Sequence, residues 1–147
     1  MEQNPQGLAG KHAVVTGGAR GIGAAVTRAL VGHGANVTML GRSAAPSIDL
    51  ARDPHLHYAQ ADICEPEDLE KAFGSARSSF GPIHVLVNNA GQGSSAPFLK
   101  TDFALWRSMM QVNLDGAFHC IHQVLPAMLG ARSNLRDSPE EALSASS

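Results

Sequence analysis

The segment VTGGARGIGAAVTRAL, residues 15–30, places Gly17, Gly21 and Gly23 at a spacing that allows close contact with phosphate groups. Gly17 permits a tight turn, and Gly21 removes a side chain where the backbone must approach a ligand. Gly23 lets a following helix pack closely. Because the N–H groups at a helix start carry partial positive charge, this segment predicts a site for the pyrophosphate of a dinucleotide.

The elements around this segment alternate between strand and helix. The β-branched run His12–Val15 predicts a buried strand before the glycines, and apolar residues at helical spacing predict a helix after them. Further strands are predicted at Asn36–Leu40, Leu56–Gln60 and Ile83–Val87. One further helix should begin at Pro66 with the apolar stripe Leu69, Ala72, Phe73 and Ala76, and another should run from Thr101 or Asp102 to about Leu129, with Pro126 kinking or ending it. This order predicts an α/β fold with a parallel sheet and right-handed crossovers.

The residues that follow the second predicted strand bear on the choice of cofactor. An NAD site usually has an acidic residue here, whereas this chain has Gly41 followed by Arg42, and no carboxylate until Asp49. A glycine leaves room for a 2′-phosphate and a guanidinium suits its geometry, with Arg20 as a second cation. NADP(H) is therefore predicted over NAD(H); the alternative is that both arginines are ordinary solvated surface residues.

Four segments in order resemble the short-chain dehydrogenase/reductase family over about residues 11–133. They are the T-G-x-x-x-G-x-G spacing, ADI at Ala61–Ile63 after the third strand, NNAG at Asn88–Gly91 after the fourth, and VNLDG at Val112–Gly116. The resemblance implies a Rossmann-type doubly wound parallel sheet, here incomplete, with about four strands in the order 3-2-1-4. It implies cofactor contacts from Thr16, Gly17, Arg20, Gly21, Ile22, Gly23, Arg42, Asp62, Ile63, Asn88, Asn89, Ala90 and Gly91.

The resemblance also implies hydride transfer between a nicotinamide and a carbonyl or alcohol carbon. In that family a serine, a tyrosine and a lysine in a Y-x-x-x-K pattern act with an asparagine, which here would be Asn113. A tyrosine of pKa about 10 needs a nearby cation to act as a base near neutrality. Tyr58 is the one tyrosine of this sequence, and Asp62 stands where the lysine should follow. We therefore expect a nicotinamide-dependent oxidoreductase represented by its cofactor-binding half and inactive as given.

The last fourteen residues, NLRDSPEEALSASS, are polar and show no strand alternation. We expect residues 1–133 to form a partial dinucleotide-binding domain and residues 134–147 to be an unrelated tail, as in a truncated family member. Without a fifth strand, Ile83–Val87 would be an exposed apolar edge, which favours pairing with another chain or homo-oligomers. The alternative function is a non-catalytic dinucleotide-binding or protein-interaction module.

Composition excludes several other classes of function. The net charge of -2 leaves no basic footprint for nucleic acid, and no apolar run is long enough to span a bilayer. Cys64 and Cys120 lack CxxC spacing, which is typical of reduced thiols and predicts a cytoplasmic protein. Two histidine pairs, His55/His57 and His119/His122, lack the third ligand that zinc normally requires, so no metal is expected.

Overall fold

A computed structural model describes residues 7–46, 52–94 and 96–136, with side chains described as far as residue 130. The elements are β1 (His12–Thr16), α1 (Gly21–Gly32), β2 (Asn36–Gly41), β3 (Leu56–Gln60), α2 (Pro66–Phe80), β4 (Val85–Val87), a 3₁₀ turn (Phe98–Lys100), α3 (Phe103–Met110), a π turn (Gln111–Asp115) and α4 (Gly116–Arg136). The four strands form one sheet in the order β3-β2-β1-β4, and every pair is parallel. The predicted Rossmann-type α/β fold and its strand order are confirmed.

Helices cover both faces of the sheet, and β1 is buried along its whole length as a result. On one face, Ala13 and Val15 of β1 pack with the apolar side chains of α1. On the other face, Val14 packs with Phe73 of α2 and with α4. This arrangement explains why a continuous apolar run, and not an alternating one, marked β1 in the sequence.

Helix α2 follows its sequence pattern closely. Pro66 stands at its start, and the predicted stripe of Leu69, Ala72, Phe73 and Ala76 is buried. The helix ends at Gly81, whose φ of 75° lies in the left-handed region that favours glycine. The stripe fixes the face that α2 turns to the sheet, and this in turn sets the crossover between β3 and β4.

His12, His57 and His84 form a histidine cluster at the amino end of the sheet, away from the glycine segment. Gly81 O lies 3.1 Å from His12 Nδ1 and can only accept, so that nitrogen carries the proton, and Nε2 accepts from the Thr38 hydroxyl at 2.8 Å. The His84 ring nitrogen accepts from the His12 N–H at 3.0 Å. Burial lowers the pKa of both His12 and His57 below the ordinary 6.5. The positive charges of His84 and His57 lower the pKa of His12 further.

The helix predicted from Thr101 or Asp102 to about Leu129 is confirmed, since the chain is helical from Phe103 to Arg136, and one π turn within it was not predicted. Asp102 does cap its start, since the Leu105 N–H donates to Asp102 Oδ1 at 2.8 Å. A π turn at Gln111–Asp115 then separates α3 from α4, and a Cβ added to Gly116 would lie 2.5 Å from Ile63 Cδ1. Helical periodicity in the sequence does not reveal such a turn, because the extra residue changes the hydrogen bonding of one turn only.

Two boundaries also differ from those predicted. Strand β4 is Val85–Val87, shorter than the predicted Ile83–Val87, because its ladder with β1 begins at Val85, which pairs with Ala13. Helix α4 contains Pro126 without ending there, and it extends beyond residue 133 to Arg136. Residues 137–147, the greater part of the predicted tail, and Asp49 lie outside the described residues.

Candidate cofactor-binding site

The glycine segment forms the turn between β1 and α1 at the carboxyl end of the sheet. Gly17 and Gly21 have φ values of 65° and 54°, in the region that other residues rarely adopt. A Cβ on Gly21 would meet nothing within 4 Å, so the space beside this residue is open to a ligand. Arg20 precedes the helix in an extended conformation and makes no side-chain cap, and the first turn of α1 contains no acidic residue. The positive end of α1 is therefore directed to an uncrowded surface.

Gly23 lies on the opposite, crowded side of the same turn. A Cβ there would stand 2.1 Å from the carbonyl oxygen of Gly17 and 2.6 Å from Asn89 Nδ2. Asn89 Nδ2 also donates to the carbonyls of Thr16 at 3.1 Å and Gly17 at 3.3 Å. The absence of a side chain at Gly23 thus lets α1, the glycine turn and the segment after β4 meet.

Thr16 joins the ends of β1 and β4 through its hydroxyl group. Its oxygen accepts from the N–H groups of Asn89 at 3.0 Å and Ala90 at 2.9 Å, and the hydroxyl donates weakly to Val87 O at 3.4 Å. The side chain is 1% exposed, so it lies behind the surface that a ligand could touch. Thr16 therefore positions the NNAG segment beside the glycine turn.

Asn113 holds the next residue of that segment from the other side. Its Oδ1 accepts from the Gln92 N–H at 2.9 Å, and its Nδ2 donates to Gln92 O at 2.7 Å. A Cβ on Gly91 would lie 2.8 Å from Asn113 Oδ1, so the contact requires glycine there. Asn113 belongs to the π turn, and from there its amide reaches the chain that follows β4.

Asp62 stands at the end of β3, where its carboxylate is tied to the local backbone. The Cys64 N–H donates to Asp62 Oδ1 at 2.9 Å, which closes a short turn before α2. Burial, with the negative charge of Asp62, raises the pKa of the Cys64 thiol. This thiol is thus a protonated, neutral part of the wall near pH 7.

These loops enclose a groove across the carboxyl ends of β1–β4, with a volume of about 260 Å³. Of the residues predicted from the sequence, eight line it: Gly17, Arg20, Arg42, Asp62, Ile63, Asn89, Ala90 and Gly91. Thr16 is buried behind it, and Gly21, Ile22, Gly23, Asn88 and Asn113 are not among its lining residues; Ile22 is 77% exposed on α1. The sequence interpretation missed Leu40, Ala61, Cys64, Gln92 and Val112, which also line the groove. Each of these residues lies within or next to one of the predicted strands or motifs, and this position in the sequence could have indicated that it lines the groove.

A second cavity of about 290 Å³ continues from the groove past the end of β2. It shares Gly17, Arg20, Gly41 and Arg42 with the groove and adds Ser43 and Tyr58. Among the described residues, its lining contains two guanidinium groups and no carboxylate. The groove and this cavity together form one open site, with Arg20 and Arg42 at the end of β2.

Within the described ranges, no helix is long and apolar enough to cross a membrane. Nor do three or more His, Cys, Asp or Glu side chains of that part of the chain come together as metal ligands would.

A parallel sheet with helices on both faces and a ligand groove at its carboxyl edge defines a Rossmann-type α/β protein. The family model for short chain dehydrogenases matches residues 11–134, and the chain belongs to this family of oxidoreductases.

Named relatives agree with this assignment. The NADP-dependent (R)-specific alcohol dehydrogenase of Lentilactobacillus kefiri is 36% identical over 115 residues, 76% of this chain and 46% of the relative. The 3-alpha-(or 20-beta)-hydroxysteroid dehydrogenase of Mycobacterium tuberculosis is 39% identical over 130 residues, 82% of this chain and 47% of the relative. The crystal structure of a short-chain dehydrogenase/reductase, glucose/ribitol dehydrogenase, from Brucella melitensis matches with a TM-score of 0.74 at 30% identity, covering 82% of this chain and 53% of that one. The chain thus spans about half the length of these relatives.

Proposed function

We propose that this chain binds NADP(H) in preference to NAD(H), as the cofactor-binding part of an oxidoreductase acting on carbonyl or alcohol groups. The observation that carries the proposal is the convergence of Gly17, Arg20, Arg42 and Asp62 on one groove. The residues fit the cofactor: Gly21 leaves open space beside the positive end of α1 for the pyrophosphate. When bound, the nicotinamide would supply or accept the hydride. The NADP-dependent relative from Lentilactobacillus supports the choice of coenzyme by analogy.

Each part of the groove has a distinct role in this proposal. Arg20 and Arg42 bind the phosphate on the adenosine ribose, because guanidinium groups pair with phosphate through charge-assisted hydrogen bonds. Asp62, with Ile63 beside it, borders the space for the adenine. The backbone of Ala90 and Gly91 forms the wall beyond the glycine turn, along which the nicotinamide half would extend. Asn113 acts through Gln92, which it holds in place.

We propose further that these 147 residues bind the coenzyme without turning it over. Tyr58 is the one tyrosine of the sequence, and its hydroxyl donates to Ser43 O at 2.8 Å, beside the arginines and not beside the NNAG segment. A proton donor at that end of the groove is remote from the place where a nicotinamide would react. The free thiols Cys64 and Cys120 support a reducing compartment, such as the cytoplasm, as the place of function.

Association with a second copy belongs to the same proposal. An apolar stripe on the π turn and α4 is exposed and continues at helical spacing: Leu114, Phe118, Ile121, Leu125 and Leu129. Strand β4 pairs with β1 alone within the described sheet, so its other edge offers backbone groups to a further strand. Sedimentation velocity across a concentration series should therefore show reversible association, and a strictly monomeric chain would contradict this part.

The test of cofactor binding is a titration of the folded chain with NADPH and with NADH, followed by nicotinamide fluorescence. Arg42→Ala should weaken the affinity for NADPH at least tenfold, because a hydrogen bond to a charged group contributes about 1.5–3 kcal/mol. The affinity for NADH should not change. Arg107→Ala, on α3 and away from the groove, is the matched control. Failure of the folded wild-type chain to bind either coenzyme would overturn the proposal, and equal affinity for both would overturn the preference for NADP(H).

A further inference from the structure

Two side chains of β3 hold the turn that carries Arg42. The Tyr58 hydroxyl donates to Ser43 O at 2.8 Å, and Gln60 Nε2 donates to Arg42 O at 2.9 Å. Residues two apart on a strand project from the same face, so both side chains reach the turn from one side. The parallel register, with Gly41 beside Gln60, brings them level with the end of β2. The backbone of Arg42 and Ser43 is therefore anchored from the neighbouring strand.

Tyr58 also lies across the place where a side chain on Gly41 would stand. A Cβ built on Gly41 would be 2.7 Å from the Tyr58 hydroxyl and 3.3 Å from its ring. An acidic side chain at this position, as NAD sites usually have, would therefore displace the ring and break its bond to Ser43. The position of the Tyr58 ring at the end of β2 thus depends on glycine at position 41.

The surroundings of the Tyr58 hydroxyl favour its neutral form, whose one proton is donated to Ser43 O. Burial raises the pKa of Tyr58, and the nearby charge of Arg20 opposes that rise. The cavity beside it is lined by Arg20, Arg42 and Ser43, and no carboxylate lines it in the part of the chain that the structure describes. This combination of two cations and a hydroxyl is suited to a phosphomonoester.

We propose that Tyr58 is a positioning residue that confers selectivity for a coenzyme with a ribose 2′-phosphate, by anchoring the Arg42–Ser43 turn so that Arg42 lines the same cavity as Arg20. Gln60 supports the same turn through the Arg42 carbonyl. The inference rests on the proposed function, since it explains how that site distinguishes two coenzymes that differ by one phosphate.

Tyr58→Phe removes only the hydroxyl and keeps the packing of the ring. Loss of one anchoring hydrogen bond should weaken the affinity for NADPH about five- to tenfold and leave the affinity for NADH within about twofold of the wild-type value. Gly41→Ala should reproduce the loss by displacing the ring, and should have a smaller effect in a Tyr58→Phe background, where no hydroxyl remains to be displaced. Ser75→Ala, which removes a hydroxyl that contacts His57 on another surface, is the control.

A spectroscopic readout distinguishes positioning from general loss of structure. Because Tyr58 is the chain's single tyrosine, absorbance near 295 nm follows its ionisation alone. Saturating 2′,5′-ADP should raise its pKa above the value measured with 5′-AMP, since a nearby phosphate opposes phenolate formation. Equal losses of NADPH and NADH in Tyr58→Phe, or no loss of either, would overturn the inference while wild-type binding still upholds the proposed function. Wild type that binds neither coenzyme would overturn both.

Discussion

Replacement of Gly23 by alanine tests whether the glycine turn is built by close packing. The added Cβ would lie 2.1 Å from the Gly17 carbonyl oxygen, a backbone atom that cannot rotate away, and 2.6 Å from Asn89 Nδ2. Overpacking costs about 1–3 kcal/mol, and loss of the two bonds from Asn89 adds about 1 kcal/mol each. Alanine in a helix returns up to about 1 kcal/mol. The free energy of unfolding should therefore fall by roughly 2–4 kcal/mol, a large share of a typical domain's stability.

Urea unfolding followed by circular dichroism measures this loss, with Gly74→Ala as the matched control. Gly74 lies inside α2, and a Cβ there would meet nothing within 4 Å. The control should gain about 0.5–1 kcal/mol, because alanine restricts the unfolded chain and favours helix. If Gly23→Ala were as stable as wild type, α1 would not pack against the glycine turn as described, and the roles assigned to these glycines would be wrong.

Two further changes test the supports of the groove and the opposite end of the sheet. Thr16→Val removes the acceptor of the Asn89 and Ala90 N–H groups and should lower the free energy of unfolding by about 2–4 kcal/mol in urea titrations. Thr16→Ser keeps the hydroxyl and should stay within about 1 kcal/mol of the wild type. A valine variant as stable as the wild type would refute the link that Thr16 makes between β1 and β4. In the histidine cluster, burial lowers the pKa of folded His12, so below its ordinary pKa of 6.5 the unfolded chain binds a proton that the folded chain does not. The free energy of unfolding should therefore be highest above about pH 7 and should fall on acidification by up to about 1.4 kcal/mol per pH unit. An equally steep fall in the His12→Gln variant would refute His12 as the cause.

The fold could be predicted from local patterns because the order of apolar and polar residues within each element indicates which of its faces are buried. The apolar run at β1 reflects helices on both faces, and the stripe from Leu69 to Ala76 reflects the single buried face of α2. The glycine turn was equally readable, because positive φ at Gly17 and crowding at Gly23 leave glycine as the one residue that fits. In each of these cases a local constraint selects a residue type.

The site's supports could not be predicted in the same way, because they join residues far apart in sequence. Thr16 contacts Ala90 across 74 positions, and the spacing of the glycine motif carries no sign of that contact. The spacing around Tyr58 indicates only that it lacks the lysine of a catalytic pair, whereas its contact with Ser43 depends on the register of β2 and β3. The π turn ends beside Gly116, which lies close against Ile63, and no helical period encodes that contact.

These long-range contacts share one form, in which a polar side chain of one element holds the backbone of the next loop. Thr16 holds the segment after β4, Asn113 holds Gln92 from the π turn, and Tyr58 holds Ser43 from β3. The groove walls are loops, and loops at a sheet edge have no ladder of their own to fix them. If the site binds the proposed coenzyme, its geometry therefore depends on such anchors as much as on the residues that would touch the ligand. It follows that removing the Tyr58 anchor should change which coenzyme is bound with little effect on folding, whereas removing the buried Thr16 anchor should lower the stability of the fold.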